Sequence, residues 1–397
     1  MIDNYDYEKK SDFKQLQSTV KNADYFLSFS LSSVAGSSRA SMDKFKALSR
    51  QIPGDCVLYS LDLFENLRVP KLFLMVALEF LYFYKSIKSK RCPDVIFSRS
   101  YFFFGTYLFS KIFKVPIYYE VHEDFWDQGK VLHKGKPLML SLIWVYNKYR
   151  LFFLKSGAGI IFNHPDLQTY MTEKYNIPIG STTFVYNGCD TDLFIPKNKE
   201  VCKKSLGLDV SKQYLVFVGS VCKWHGVEYL ISAFEAFSND TNREYELLIV
   251  GASDEEYLNT LRSMAAGQNI HFTGRVSKQL VVDYIGAAEL CLCPVRKNRI
   301  SPGSPLKLFD YIACGRPVIS QSDTLGYSDI VIEHNLGDVC DYASADETAK
   351  VWNDFLLNKD RETIGTNNRK VAESVYSWDL VIKKWLEFCN NRGLKEI

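Results

Sequence analysis

The sequence predicts an α/β protein of two domains, each built on a mainly parallel sheet. Three observations carry this. The chain has 397 residues, more than one ordinary core organises and a fitting length for two. Short apolar runs alternate with helix-period segments along most of it, the pattern of βαβ units. The alternation breaks at the turn-rich stretch 187–200, NGCDTDLFIPKNKE, and then restarts.

In the first half, strands are expected at 25–30, 57–60, 95–97, 117–120, 159–162 and 183–186, with helices near 38–50, 71–90, 101–113, 137–155 and 165–174. In the second half, strands are expected at 215–218, 245–250, 269–272, 290–293 and 317–320, with a helix over 227–238. Each of these later strands ends in small or polar residues, and ligands of open α/β sheets bind at such carboxyl ends. The last 50 residues read as helical. This places a first domain at 1–190, a second at 197–377 and a final helical segment at 378–397.

Composition sets the class. With 47% hydrophobic and 24% charged residues the chain reads as globular. A net charge of +2 gives no nucleic-acid signature. The halves differ: residues 1–190 hold 24 Lys and Arg against 18 Asp and Glu, and the remainder 24 against 28. A basic first half suits an anionic surface. Ten cysteines without C-x-x-C spacing suit a reducing cytosol rather than zinc or disulfides. The start, MIDNYDYEKK, has no apolar signal region. The longest apolar run, 72–84, contains Glu79 and falls short of the roughly 20 residues a membrane span needs. It reads as a core helix or an interfacial one. Lys85, Lys88, Lys90 and Arg91 trail it and could reach lipid headgroups, although packing on the sheet is the stronger reading of its apolar part.

The stretch SPGSPLKLFDYIACGRPVIS, 301–320, carries the chemistry. Ser304 is placed as the N-cap of a helix and Pro305 as its first residue. Leu306, Phe309, Ile312 and Ala313 form the apolar face. Lys307 and Asp310 share the next stripe. A helix start disfavours a cation, so Lys307 makes sense where an anion binds the exposed amides of Leu306 and Lys307. Asp310, one turn on, could accept hydrogen bonds from vicinal ribose hydroxyls. The competing reading is a solvated i,i+3 pair contributing a few tenths of a kcal/mol.

Several motifs then share one resemblance. NGCDTDLFIP (187–196), VFVGSVCKWHGVEYLISAF (216–234), ELLIVG (246–251), IHFTGRVS (270–277) and SPLKLFDYIACGRPVIS (304–320) occur in the order and at the spacing seen in family 4 of the retaining glycosyltransferases (glycosyl transferases group 1). The resemblance covers most of the chain. It implies the GT-B fold: two Rossmann-like domains with mainly parallel sheets facing an interdomain cleft, and a C-terminal helix crossing back to the N-terminal domain. It implies transfer of a sugar from a nucleotide-diphosphate sugar, a UDP- or GDP-sugar, with the nucleotide on the C-terminal domain and the acceptor mainly on the N-terminal one.

Carried over position by position, the resemblance puts Lys307 on the diphosphate and Asp310 on the ribose. Gly274, Arg275 and Val276 lie beside the base. Gly219, Ser220, Lys223 and His225 lie near the phosphates, with Ser304, Pro305 and Leu306 at the helix tip and Arg296 a further contact. His122, in YYEVHEDF, occupies the family's strand-end histidine position. Front-side attack, with the donor phosphate taking the proton, would leave His122 to orient the sugar or stabilise developing positive charge. Gly36, Ser37, Ser38 and Arg39 match the loop that meets acceptor and diphosphate; equally, Ser37 or Ser38 could cap the following helix.

Other residues divide between roles. Glu123 and Asp124 read as a solvated turn before they read as contacts, and His164 before Pro165 as a helix-start residue. Two departures stand out. Relatives carry two glutamates eight positions apart, where this chain has Pro302 and Asp310. They also carry Arg and Lys where this chain has Ser220 and His225. Lys307 is placed to replace the missing charge. No metal is expected, because no Asp-x-Asp sits at a strand end. The expectation is a cytoplasmic enzyme, peripheral on the membrane face, using a saccharide or lipid-linked acceptor in bacterial surface polysaccharide assembly. A GT-B nucleotide-sugar epimerase and a non-catalytic partner subunit are the alternatives.

Overall fold

The computed structural model describes residues 25–28, 35–51, 56–59, 80, 84, 87–88, 95–98, 104–240, 244–296 and 303–392. It divides into two compact units: Met1–Tyr186 with Asp379–Ile397, and Asn187–Trp378.

The first unit holds a six-stranded sheet, β1 (Tyr25–Ser28), β2 (Cys56–Tyr59), β3 (Ile96–Ser98), β4 (Ile117–Val121), β5 (Gly159–Phe162) and β6 (Thr182–Phe184). The order is β2-β1-β3-β4-β5-β6 and every pairing is parallel. Strands β4 and β5 are buried along their whole length, which is why they read as continuous apolar runs. The crossovers carry α1 (Ala35–Gln51), α2 (Phe104–Phe113), α3 (Phe125–Leu132), α4 (Pro137–Ser156) and α5 (Pro165–Tyr175). Pro137 sets the first turn of α4, and Gly157 follows its last. The C-terminal helix, Trp378–Asn390, packs on this sheet. The Tyr118 hydroxyl donates to the Cys389 carbonyl at 3.2 Å, and the Trp385 ring lies 5.3 Å from Phe97. Gly159 keeps the strand face flat there, since a Cβ would come within 2.8 Å of the Phe388 ring.

The second unit repeats the plan with β7 (Gln213–Val218), β8 (Tyr245–Val250), β9 (Ile270–Gly274), β10 (Leu290–Cys293), β11 (Val318–Gln321) and β12 (Gly337–Cys340). Their order is β12-β11-β10-β7-β8-β9. The helices are α6 (Lys199–Ser205), α7 (Val227–Asp240), α8 (Glu255–Met264), α9 (Lys278–Ala287), α10 (Leu306–Ala313), α11 (Ser328–Glu333), α12 (Ala345–Asn358) and α13 (Arg361–Ser374). The chain first winds outward from β7 to β9, then returns to β10 on the other side of β7. The winding therefore reverses between β7 and β10, the position at which doubly wound sheets open a crevice. At the ends of this unit, Cys189 pairs with the 376–378 backbone: its amide donates to the Tyr376 carbonyl and its carbonyl accepts from Trp378.

Several elements depart from expectation. Strand β12 was not anticipated; GDVC is half-buried over three of its four residues and offers no apolar run. Helix α3 was missed because Gly129 sits inside it, where a Cβ would lie 2.7 Å from Ile143. Gly36, Ser37, Ser38 and Arg39 lie within the opening turns of α1, so they are not a loop and neither serine precedes the helix as a cap. Most of the helix expected near 71–90 is outside the described residues; Phe80, Tyr84 and Ile87 are exposed, where sheet packing predicted burial. Pro302 is also outside them.

Candidate functional site

Helix α10 begins where the winding of the second sheet reverses. It starts at Leu306, with Pro305 in the cap position and no side-chain cap. Ser304 is not the cap that its residue type suggested. Its hydroxyl accepts from the Asn187 amide at 2.7 Å, and its carbonyl accepts from the Asn187 side chain at 2.7 Å. The Asn187 contact thus fixes the approach to the helix.

Lys307 is 8% exposed. Its ammonium lies 4.2 Å from the centre of the Phe217 ring on β7, a cation–π contact. The same ammonium lies against Gly219, where an added Cβ would come within 3.2 Å of Nζ. Gly219 has φ +144°, a conformation that glycine alone adopts readily. Its amide donates to the Val250 carbonyl. Across the next strand end, a Cβ on Gly251 would stand 1.7 Å from the Gly219 carbonyl oxygen. Two glycines thereby bring the ends of β7 and β8 into contact beneath a lysine.

Tyr311 anchors the helix and was missed in the sequence. Its hydroxyl accepts from the Val218 amide at 2.7 Å and reaches the Leu292 carbonyl at 3.3 Å. It therefore ties α10 to the ends of both β7 and β10. Burial pushes its phenol far above the usual range, so it stays neutral and can donate as well as accept. The only sequence signal was a tyrosine hydroxyl between the apolar residues Phe309 and Ile312 on this helix. Asp310, beside it, is 1% exposed; burial first, then the Asp310 charge, pushes the Cys314 thiol up.

The loop after β7 folds over the same point. His225 Nδ1 lies 2.6 Å from the Ser220 carbonyl, and Gly226 turns the chain at φ +59°. His225 thus braces the loop, while Lys223 is exposed at its tip. Arg296, after β10, forms an ion pair with Glu228 and lies 5.8 Å from the Tyr229 ring. Arg296, expected as a ligand contact, is thus also braced by Glu228. Gly274 ends β9 at φ +69°, with Arg275 exposed and Val276 half-buried beyond it.

In the first unit, His122 follows β4. Its Nε2 is 2.7 Å from Glu120 Oε1, and its Nδ1 is 3.3 Å from the Asn163 amide nitrogen. The amide donates to Nδ1, and the Glu120 carboxylate stands on the Nε2 side of the ring. Glu120 also pairs with Lys44 of α1, whose ammonium lies 5.1 Å from the Trp385 ring. The ring is thus flanked by an amide on one side and a carboxylate on the other, which set its orientation. The pairing of Glu120 with Lys44 is not legible in the sequence, its members lying 76 positions apart.

His164 is fully buried and caps α5, its Nδ1 accepting from the Asp166 amide at 3.2 Å. Asp124 is not a solvated turn. It is fully buried, caps α3 and binds Lys174 at 2.7 Å. Among the described residues no group of three His, Cys, Asp or Glu could hold a metal ion.

Comparison with known proteins finds a family match over part of the chain. Residues 198–371 match the model described as Glycosyl transferases group 1. An uncharacterised glycosyltransferase of Methanocaldococcus jannaschii is 23% identical over 315 residues, covering 74% of each chain. Anabaena HepE, solved with UDP and glucose, matches with a TM-score of 0.68 at 16% identity, over 92% of this chain and 100% of that one. WaaG, a glycosyltransferase involved in lipopolysaccharide biosynthesis, matches with a TM-score of 0.66 at 17% identity, over 90% and 98%. The fold shared with these structures is GT-B.

Proposed function

We propose that this chain, whose residues 198–371 match the model described as Glycosyl transferases group 1, is a retaining, metal-independent transferase. It would move a sugar from a nucleotide-diphosphate sugar, UDP- or GDP-linked, to a saccharide or lipid-linked saccharide. The observation that carries this is the placement of Lys307. A buried ammonium at the head of α10, against the backbone of Gly219, is a ready counter-charge for a diphosphate. Doubly wound sheets bind their ligands at this point of the topology. Lys307 then supplies positive charge that a metal–diphosphate site would otherwise bring.

We assign the donor to the second unit and the acceptor to the first. Asp310 would take the ribose hydroxyls, and Gly274, Arg275 and Val276 the base. His122, held by Glu120 and Asn163, would present a fixed imidazole to the donor sugar and would not act as general base. HepE was solved with UDP and glucose, which supports a nucleotide-sugar donor. The link of WaaG to lipopolysaccharide supports a place in bacterial surface polysaccharide assembly, at the cytoplasmic face of the membrane. The proposed contact is peripheral; among the described residues no helix is long and apolar enough to cross a membrane.

The test is a thermal-shift and calorimetric screen against UDP-, GDP- and ADP-sugars. One class should stabilise the protein, with or without chelator. The anomeric configuration of the product, read by NMR, should match that of the donor. Turnover of the nucleotide sugar without any acceptor, giving an epimer, would overturn the transferase reading.

A further inference from the structure

The first unit carries an outward apolar face that its own core does not use. On α4, Leu138, Leu142, Val145 and Phe152 recur at helical spacing on the solvent side, with Met139 and Trp144 beside them. Leu138 is 74% exposed, Val145 58% and Phe152 59%. On α2, Phe104, Leu108 and Ile112 form a second exposed stripe. Tyr107 joins the two helices, its ring 6.0 Å from Phe152 and 5.1 Å from Phe153. Val131 and Leu132 at the end of α3 are exposed as well. Isolated exposed apolar side chains are ordinary; a contiguous run across neighbouring helices marks an interaction surface.

The charge pattern identifies the partner. Residues 128–165 contain six Lys and Arg and no Asp or Glu, and residues 95–119 contain three and none. Lys111, Lys114, Lys134, Lys136, Lys148 and Lys155 are exposed along these helices. Two of them lean on aromatic rings: Lys148 lies 5.5 Å from Trp144 and Lys111 5.4 Å from Tyr107. Apolar stripes with an interfacial tryptophan, edged by lysines whose stems lie along the same surface, suit the boundary between headgroups and acyl chains. A second protein copy would meet its own lysines here, whereas an anionic bilayer meets both the lysines and the apolar stripe favourably.

We infer that the exposed face of α2 and α4 is the membrane-docking surface of this protein and that its partner is an anionic lipid bilayer. The inference rests on the peripheral membrane placement proposed above. It needs no nucleotide sugar, so its failure is separable from failure of the transferase reading.

Purified full-length protein would be sedimented with vesicles of phosphatidylglycerol and phosphatidylcholine, and with phosphatidylcholine alone. Binding should appear with the anionic vesicles and weaken at high salt. Tryptophan emission should shift to the blue on binding, and the shift should largely vanish in Trp144→Phe. Leu142→Glu with Val145→Glu, and separately Lys111→Glu with Lys148→Glu, should each weaken binding at least tenfold. Because these side chains are exposed, the melting temperature should hold, and circular dichroism checks that each variant is folded. Wild-type protein that stays in the supernatant with anionic vesicles overturns the inference. So does unchanged binding in both double variants. So does a wild-type dimer that Leu142→Glu with Val145→Glu converts to monomer, because the face would then be an interface between two copies.

Discussion

The ammonium of Lys307 lies 4.2 Å from the centre of the Phe217 ring, and its carbon stem fills the space that a side chain at Gly219 would need. A buried cation held by a ring and a glycine backbone is pre-organised for an anion, since little needs to move when one arrives. Lys307→Ala should therefore weaken nucleoside-diphosphate binding by more than about 1 kcal/mol, the scale of a charge-assisted hydrogen bond. Asp310→Asn should weaken binding less and lower turnover. Calorimetry on both variants checks this; equal affinities to wild type in both would move the donor site elsewhere.

The two glycines beneath Lys307 lead to a second expectation. Gly251→Ala would place a methyl 1.7 Å from the Gly219 carbonyl oxygen at φ +151°, so the strand ends must separate. Gly267 is also left-handed, at φ +80°, but has open space around it. Gly267→Ala should therefore cost only the conformational strain, about 1 kcal/mol, while Gly251→Ala should cost clearly more and also weaken donor binding. Thermal melts and nucleotide titrations on the pair separate strain from steric displacement.

At the other site, His122→Ala should lower kcat at least tenfold while nucleotide affinity stays near wild type. Glu120→Gln keeps a hydrogen-bond acceptor for the ring but removes the ion pair with Lys44. Loss of one partner from a buried pair costs about 3–5 kcal/mol, so this variant should lose stability as well as activity. Steady-state kinetics with melting curves distinguish the two effects. Full activity in His122→Ala would make the histidine purely structural.

Much of this architecture was legible because buried parallel strands read as apolar runs. The expected strands at 159–162, 245–250 and 290–293 coincide with Gly159–Phe162, Tyr245–Val250 and Leu290–Cys293. What stayed hidden is non-local. Local rules made Ser304 a helix cap, yet its hydroxyl goes to Asn187, 117 positions away. Nothing in the neighbourhood of Glu120 announces Lys44. Asp124 looked like a turn residue because its partners, Lys174 and Tyr175, lie 50 and 51 positions on. Polar side chains find partners through the tertiary fold, and spacing along the chain does not encode them.

The cluster around Asp127 predicts a pH dependence. Burial alone would raise its carboxyl; hydrogen bonds from Lys130, Lys174 and Tyr170 more than reverse this and hold it at about 2, against an ordinary 3.8. A depressed carboxylate stabilises the fold above its unfolded value, and that contribution is lost as pH falls through the folded value. Lys174 moves the other way: burial opposes its charge, but Asp124, Asp127 and Tyr170 raise it above 10.5. Its contribution is full below 10.5 and fades as pH rises beyond. Asp127→Asn should therefore destabilise the protein at neutral pH and narrow its gap to wild type as pH falls from about 4 to 2. A gap that stays constant over that range would remove Asp127 from the acid transition.

The C-terminal helix makes the last prediction. Trp385 packs against Phe97 of β3 and under the Lys44 ammonium, and Lys44 in turn pairs with the Glu120 that holds His122. Phe388 and the Cys389 carbonyl meet Tyr118, and Arg392 donates to the Ala158 carbonyl at 2.7 Å. The sheet of the first unit is thus completed by residues from the far end of the sequence. Deleting everything after Ser377 should uncover the outer faces of Phe97 and Tyr118 and release Lys44. Trp385→Ala alone should cost about 3–5 kcal/mol, as large buried aromatics do. Hydrogen exchange offers the decisive reading: in the truncated chain, protection should fall across β3, β4 and β5 and hold across β7, β8 and β10. Retained protection in the first sheet would mean that the helix is a passive cover. Uniform loss in both sheets would mean that the two units unfold together.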